Sequence, residues 1–368
     1  MTFSTNPEDI QGLINLIDPE AYGKTRNFID GSVTHLSPYI SRGVISTRTV
    51  MNHILSLELP FYKIEKLIQE LAWRDYWQQV WIAKGGAIND DLKNEQEKVT
   101  NHSIPKAIIN KETGIEAIDK AIDTLYLDGY MHNHLRMYTA SLACNVAGSH
   151  WLQPAKWMYY HLLDGDWASN ALSWQWVAGS NANKKYLANQ DNINKYCYTN
   201  QQKTFLDIPY HHFDKLEIPE HLSETESPKF HTTFPKSDQL RIDSSNPTLI
   251  YNYYNLDSEW RKGEDANRIF LLEPSVFEQY PIGQNPMAFA LGLSDNIPDI
   301  QVFVGEFDEL RSHLQDSQII FKEHPLNTYE GIEDQRDWMF NVTGYYPSFF
   351  AFWKKCKREI KSSFNFNE

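Results

Sequence analysis

Four stretches in the first 200 residues carry side chains whose types and spacing could do chemistry. In residues 34–39, Thr34-His35-Leu36-Ser37-Pro38-Tyr39, with Tyr22 and Arg26 upstream, hydroxyls and backbone amides precede a proline-opened helix. Unpaired N–H groups at a helix start can cradle a phosphate; Ser before Pro is equally an ordinary helix cap. Residues 69–77 (QELAWRDYW) put Glu70, Trp73 or Arg74, and Trp77 along one helical stripe. A carboxylate, a guanidinium and indoles fit an aromatic, hydrogen-bonding ligand. The plain alternative is a solvated Glu70–Arg74 pair with the tryptophans in the core. Residues 131–137 (MHNHLRM) place Asn133, Arg136, Met137 and Ala140 on one face, and their two histidines lack the i,i+4 spacing of a helical metal site, so no metal is assigned. Residues 163–176 (LDGDWASNALSWQW) align Asp166, Asn170 and Trp174 at i, i+4 and i+8. That row can follow the edge of a flat polar ring system, or belong to a capped, half-buried helix.

The elements that position these residues are helical. Apolar residues recur with a period near 3.6 through 61–83 (Ile64, Leu67, Ile68, Leu71), 114–127 and 133–147. Pro154 suits the opening of a helix through 156–163, and Asp166 caps another through 168–177. β-branched alternation is scarce, so residues 1–200 read as an all-α domain. Residues 201–245 are polar and aperiodic, the pattern of a linker or long surface loop. Residues 246–368 read differently. Strands are expected over 248–254, 268–272, 300–304 and 319–322, with helices over 285–293 and 307–314. Such alternation implies a smaller, parallel α/β domain, closed by an aromatic helix over 345–357. There is no internal repeat and no glycine-rich phosphate loop.

Composition narrows the class. Of 368 residues 41% are hydrophobic and 22% charged, which excludes collagen-like, low-complexity and wholly disordered chains. The 11 tryptophans point to stacking or electron-transfer surfaces as well as core. A net charge of −14 argues against a polyanionic partner until its distribution is considered. Residues 1–200 hold 18 Lys+Arg against 21 Asp+Glu, leaving 16 against 27 for the rest, so the acidic excess lies in the second part. Cys144, Cys197 and Cys356 are scattered and form no CxxC, which disfavours a disulfide framework and a four-cysteine cluster. With no apolar run near ~18 residues and no basic-then-apolar leader, a soluble, cytoplasmic protein is expected.

Taken in order, the series Tyr…LSPY, ELxWR, TG…GxMHNxLRM and DGD…N…WQW resembles the flavin domain of the photolyase/cryptochrome family over roughly residues 20–200. The resemblance implies an all-α FAD-binding domain followed by the α/β domain, with FAD bound in a bent shape. Tyr22, Thr34, Leu36 and Ser37 would hold phosphates or sugar, and Arg74 would lie beside the cofactor. Arg136 and Asp164 would form an ion pair beside the isoalloxazine. Asp166 would bond its polar edge, and Asn170 would face its reactive ring nitrogen. The repair members of the family take a cyclobutane pyrimidine dimer from UV-damaged DNA. For that substrate Glu70 would bond the dimer, Trp73 and Trp176 would wall it, Met137 would pack on the bases, and Asn133 would add a hydrogen bond. Trp174 and Trp151 match the inner members of the family's electron-transfer chain, whereas residues 88–107 contain no tryptophan for the outer one. His134 stands where an arginine often meets the DNA backbone, with Lys184 and Lys185 as substitutes. The resemblance leads one to expect that the family's usual N-terminal antenna domain is missing, residues 246–368 being a candidate displaced counterpart. The acidic C-terminal part motivates a second reading, a blue-light photoreceptor that signals through it to a protein partner.

Overall fold

A computed structural model describes residues 3–364. Five helices matter for the argument: α1 (Phe61–Lys84), α2 (Asn133–Ser141), α3 (Leu152–His161), α4 (Trp167–Ala178) and α5 (Phe349–Ser363). The chain folds into two compact units that interleave in sequence. One comprises residues 1–20, 34–83 and 231–368; the other comprises 21–33 and 84–230. One separation, at 230/231, falls inside the stretch 201–245 expected to be a linker, whereas residues 1–20 and 34–83 group with the C-terminal part instead of with the helical unit. The physical reason lies in α5, whose aromatic face packs on α1 and so ties residues 34–83 to the C-terminal part of the chain.

The first unit is built on a five-stranded parallel sheet: β1 (Thr248–Tyr251), β2 (Asn267–Leu272), β3 (Ile300–Val304), β4 (Ile319–Lys322) and β5 (Ile332–Asp334), in the order β3-β2-β1-β4-β5. β1 and β2 are buried throughout, as strands in the middle of a parallel sheet are, their polar openings Thr248, Asn267 and Arg268 included. The edge strand β5 is three residues long and carries Glu333 and Asp334, which discourages pairing with another chain. Parallel neighbours need crossovers. Helices Pro274–Gln279 and Gln284–Ser294 join β2 to β3, and Phe307–His313 joins β3 to β4. Ile250, Ile269, Leu271, Phe307, Leu310, Leu314 and Phe321 form the core on one face.

The second unit is helical but not purely so. Ile104–Pro105 pairs antiparallel with Thr225–Glu226, a tie between distant stretches that residue periodicity cannot reveal. The stretch expected to be an aperiodic linker also holds a 3-10 turn, Tyr210–Lys215, and a short helix, Glu220–Ser223. Helix α2 runs into a π-helical segment, Leu142–Val146, before α3 begins.

Histidines within both units make the fold acid-sensitive. Burial beside the aromatic edges of Tyr126 and Trp157 lowers the His161 imidazole to about 4, and burial lowers His324 as well. Between pH 6.5 and 4 the unfolded chain protonates His161 while the folded chain does not, so stability falls as pH falls through that window. The loss from His161 reaches on the order of 3 kcal/mol at its acid end. Urea unfolding at pH 7, 5.5 and 4.5 should show a smaller decline in a His161→Phe variant than in the native chain. Equal declines would remove His161 from the account.

Candidate flavin and substrate residues

In the second unit the arrangement starts at Gly129, which ends the helix Glu116–Asp128 with φ +66°. A Cβ there would meet the Leu163 side chain at 2.6 Å, so only glycine permits this approach. The Gly129 carbonyl then accepts from the Leu163 amide at 2.8 Å, fixing the 162–166 turn against the start of α2. That turn presents Asp164. Arg136 donates from Nη2 to both Asp164 oxygens at 2.9 Å and from Nε to the Met131 carbonyl at 2.8 Å. The Asp164 side chain is 3% exposed and that of Arg136 20%, so the pair is largely removed from water. Tyr130 lies 5.8 Å from the guanidinium, and burial pushes its hydroxyl up to about 12.

Asp166 caps α4, accepting from the Ser169 amide at 2.7 Å. One turn on, Asn170 donates to the Ala155 carbonyl of α3 at 2.8 Å. The carboxylate, amide and indole of Asp166, Asn170 and Trp174 are thus a buried row on the inner side of α4. Trp176 emerges on its outer side, 38% exposed, with Tyr186 at 5.8 Å. On α2, Asn133 is exposed while Arg136 and Met137 are half-buried. Trp174 and Trp151 are both buried, and the Trp151 indole donates to Asp91 at 2.8 Å. Tyr22 is half-buried in the middle of the helix Pro19–Thr25.

His134 takes no surface position. It is 8% exposed, with Nδ1 2.8 Å from the Asn27 carbonyl and Nε2 3.2 Å from the Tyr186 hydroxyl. Of the two substitute lysines, Lys185 lies 3.5 Å from Glu97, and only Lys184 is exposed and without an ion pair among the described residues.

In the first unit, the chain turns through a left-handed residue, His35 (φ 53°), between Thr34 and Leu36. Left-handed backbone at a non-glycine is uncommon, though histidine tolerates it better than most. Leu36, not Ser37, is the N-cap of the five-residue helix Ser37–Ser41, and no side chain caps it. The Ser37 hydroxyl therefore has no hydrogen bond to any described residue, and the Thr34 hydroxyl accepts only a long one, 3.4 Å from the Leu36 amide. Arg74 donates to the Ser41 hydroxyl at 2.9 Å, and Glu70 pairs with Lys66 at 2.8 Å. The Glu70–Arg74 pair allowed by their spacing is not formed. Trp73 stacks face to face on Phe349 of α5, 3.6 Å between centroids and 10° between planes. No base can enter that face, so a ligand can meet Trp73 only by its other face or its edges. Phe349 is not legible as a neighbour of Trp73 in the sequence because it lies 276 positions downstream.

A serine hydroxyl with no partner can bond a phosphate or a sugar, and a buried guanidinium–carboxylate pair can meet the polar edge of a planar ring.

Residues 67–243 match the family model described as the FAD binding domain of DNA photolyase. The chain is 32% identical over 168 residues to a deoxyribodipyrimidine photo-lyase of Alkalihalophilus pseudofirmus, covering 43% of this chain and 34% of that protein. It is 30% identical over 235 residues to one of Buchnera aphidicola, covering 61% and 47%. It is 29% identical over 192 residues to a cryptochrome DASH of Ostreococcus tauri, covering 50% and 34%. The chain thus spans about a third to a half of the length of these relatives. Among solved structures, a Synechocystis cryptochrome superposes with a TM-score of 0.49 at 23% identity, over 53% of this chain and 44% of the other. Among the described residues no helix is long and apolar enough to cross a membrane, and no three His, Cys, Asp or Glu side chains are grouped to hold a metal ion. Residues 67–243 of this chain are thus similar to the FAD-binding domain of the photolyase/cryptochrome family, and FAD is the cofactor.

Proposed function

We propose that the protein repairs cyclobutane pyrimidine dimers in UV-damaged DNA under blue light. The observation that supports this best is the buried Arg136–Asp164 pair, formed inside a segment that matches the FAD-binding domain of DNA photolyase. Photo-lyases are also frequent among the relatives. Bound FAD supplies light absorption and one-electron chemistry. The residues of this chain bind and orient. In this proposal Tyr22, Thr34, Leu36, Ser37 and Arg74 hold the phosphates and sugar, and Arg136, Asp164, Asp166 and Asn170 surround the flavin ring. An amide such as Asn170 can donate or accept as the ring nitrogen gains or loses a proton. Glu70 hydrogen-bonds the dimer, assisted by Asn133, while Trp73, Trp176 and Met137 provide an apolar wall. A flipped-out damaged base costs less to unstack than an intact one, which favours damaged sites. Trp174 and Trp151 carry electrons when the cofactor is photoreduced.

The test is illumination of the reduced, FAD-loaded protein with a dimer-containing oligonucleotide, following restoration of thymine absorbance. No restoration sinks the proposal. Glu70→Gln is expected to lower the repair yield at least tenfold. Its stability cost should stay below about 1 kcal/mol, because the Lys66–Glu70 pair is a partly exposed one. Trp174→Phe should slow photoreduction of the bound flavin, followed by its visible spectrum, without changing dimer repair by chemically reduced protein.

A further inference from the structure

We infer that one face of α5 is a docking surface for the phosphate backbone of DNA, with a preference for single strands. The choice of DNA rests on the proposed function; the surface itself is read from charge and exposure.

Residues 201–368 carry 16 basic against 27 acidic side chains, yet five of those basic residues (Lys354, Lys355, Lys357, Arg358, Lys361) fall within the fifteen residues of α5, against one acid, Glu359. The helix is therefore a concentrated positive feature in an acidic stretch. Its two faces are segregated. Phe349, Phe352, Trp353, Cys356 and Ile360 are buried. Phe350, Lys354, Arg358 and Lys361 recur at i, i+4, i+8 and i+11, one stripe of a helix, and all four are exposed, Phe350 by 68%. The stripe is ~16 Å long at 1.5 Å per residue.

Two charges of α5 beside the stripe are already matched, and Lys355 is not. Lys357 pairs with Glu65 at 2.5 Å, and Glu359 accepts from the amide and side chain of Asn341 at 3.0 Å. Lys354, Lys355 and Arg358 form no ion pair among the described residues, and Lys361 has only the Phe61 ring, 5.1 Å away. Cations in a row with an exposed ring at one end are ingredients of single-strand binding, in which phosphates meet the charges and a base stacks on the ring. A membrane surface is disfavoured, because a lipid-bound helix must bury its apolar face in the acyl boundary, and here that face is already buried in protein. Of the positions expected to meet DNA phosphates, His134 is buried and Lys185 is paired, which leaves Lys184 and makes a further source of positive charge on α5 useful to the same ligand.

The test is fluorescence anisotropy with an undamaged, labelled 16-nucleotide strand, its duplex, and phosphatidylserine vesicles. Each is titrated with the full chain from 50 to 200 mM salt. For the strand, Lys354→Ala/Arg358→Ala/Lys361→Ala should reduce the slope of log K against log salt by about 2 and weaken binding on the order of 100-fold at 0.1 M salt. The charge-preserving Lys354→Arg/Lys361→Arg variant should bind as the native chain does, which guards against a loss caused by misfolding. Phe350→Ala should weaken strand binding about tenfold and duplex binding less. Unchanged affinity and slope in the triple variant, or vesicle binding without oligonucleotide binding, would overturn the inference. Because the oligonucleotides are undamaged, failure of dimer repair in a parallel illuminated sample would count against the proposed function and leave this surface standing.

Discussion

Arg136→Ala is expected to cost about 3–5 kcal/mol of folding stability, the usual consequence of removing one member of a buried ion pair. The carboxylate of Asp164 is 3% exposed and would lose the guanidinium that contacts both of its oxygens. The same change deletes the Nε donor to the Met131 carbonyl, loosening the start of α2 against the 162–166 turn. The asymmetry of exposure makes a second statement. Asp164→Asn leaves behind a guanidinium that is 20% exposed and can recruit water, so it should cost less than Arg136→Ala. Arg136→Lys should fall between, because an ammonium keeps the charge but cannot serve the Asp164 oxygens and the Met131 carbonyl with a planar fork. Urea unfolding of the three variants with FAD removed measures the structural part. Added FAD stabilises a chain that binds it in proportion to the logarithm of one plus the ratio of its concentration to its dissociation constant. A pair beside the flavin thus predicts that FAD stabilises the native protein more than Asp164→Asn, with a shifted flavin absorption band in that variant. Arg136→Ala costing under 1 kcal/mol would show that the pair is not buried in solution.

The local grammar of the sequence was legible where one element decides its own fate. The strands at 300–304 and 319–322 and the helices α1 and α4 follow directly from apolar period and capping residues, and their bounds fall within a residue or two of expectation. Pairings between distant stretches were not legible. Asp75, Gln78 and Gln79 interrupt the apolar pattern of α1 yet are 5–7% exposed. Asp75 accepts from the Met339 amide at 2.9 Å, Gln79 from the Gly344 amide at 2.9 Å, and Gln78 from Arg336 at 2.8 Å. Buried polar groups need partners, but nothing in a one-dimensional pattern says that the partners lie some 260 residues downstream. The candidate flavin residues divide the same way. Asp164 and Arg136 were identified as a pair from motif order, whereas the Glu70–Arg74 contact allowed by spacing gives way to Lys66–Glu70 and Arg74–Ser41, because helical spacing offers each charge several neighbours.

The same long-range packing supports the second large effect. Phe349→Ala should destabilise the first unit by about 3–5 kcal/mol. Phe349 is 3% exposed and sits against Trp73 at 3.6 Å, Tyr76 at 5.7 Å and Trp353 at 6.4 Å. Its loss opens a cavity among rigid rings that cannot collapse into it, which is where truncation costs most. Part of the cost belongs to the ring stack itself. A double-mutant cycle with Trp73→Leu should give a coupling of about 0.5–1.5 kcal/mol, typical of aromatic pairs. Additive single effects would show that the two rings do not stack in solution. Phe349→Leu refills most of the volume and should retain the fold while freeing one face of Trp73. Under the proposed function that variant separates two roles for the tryptophan. If Phe349 holds Trp73 in the orientation a dimer requires, Phe349→Leu lowers the repair yield several-fold with little change in the flavin spectrum. If the yield is unchanged, Trp73 is a core residue of α1, and the apolar wall must come from Trp176 and Met137.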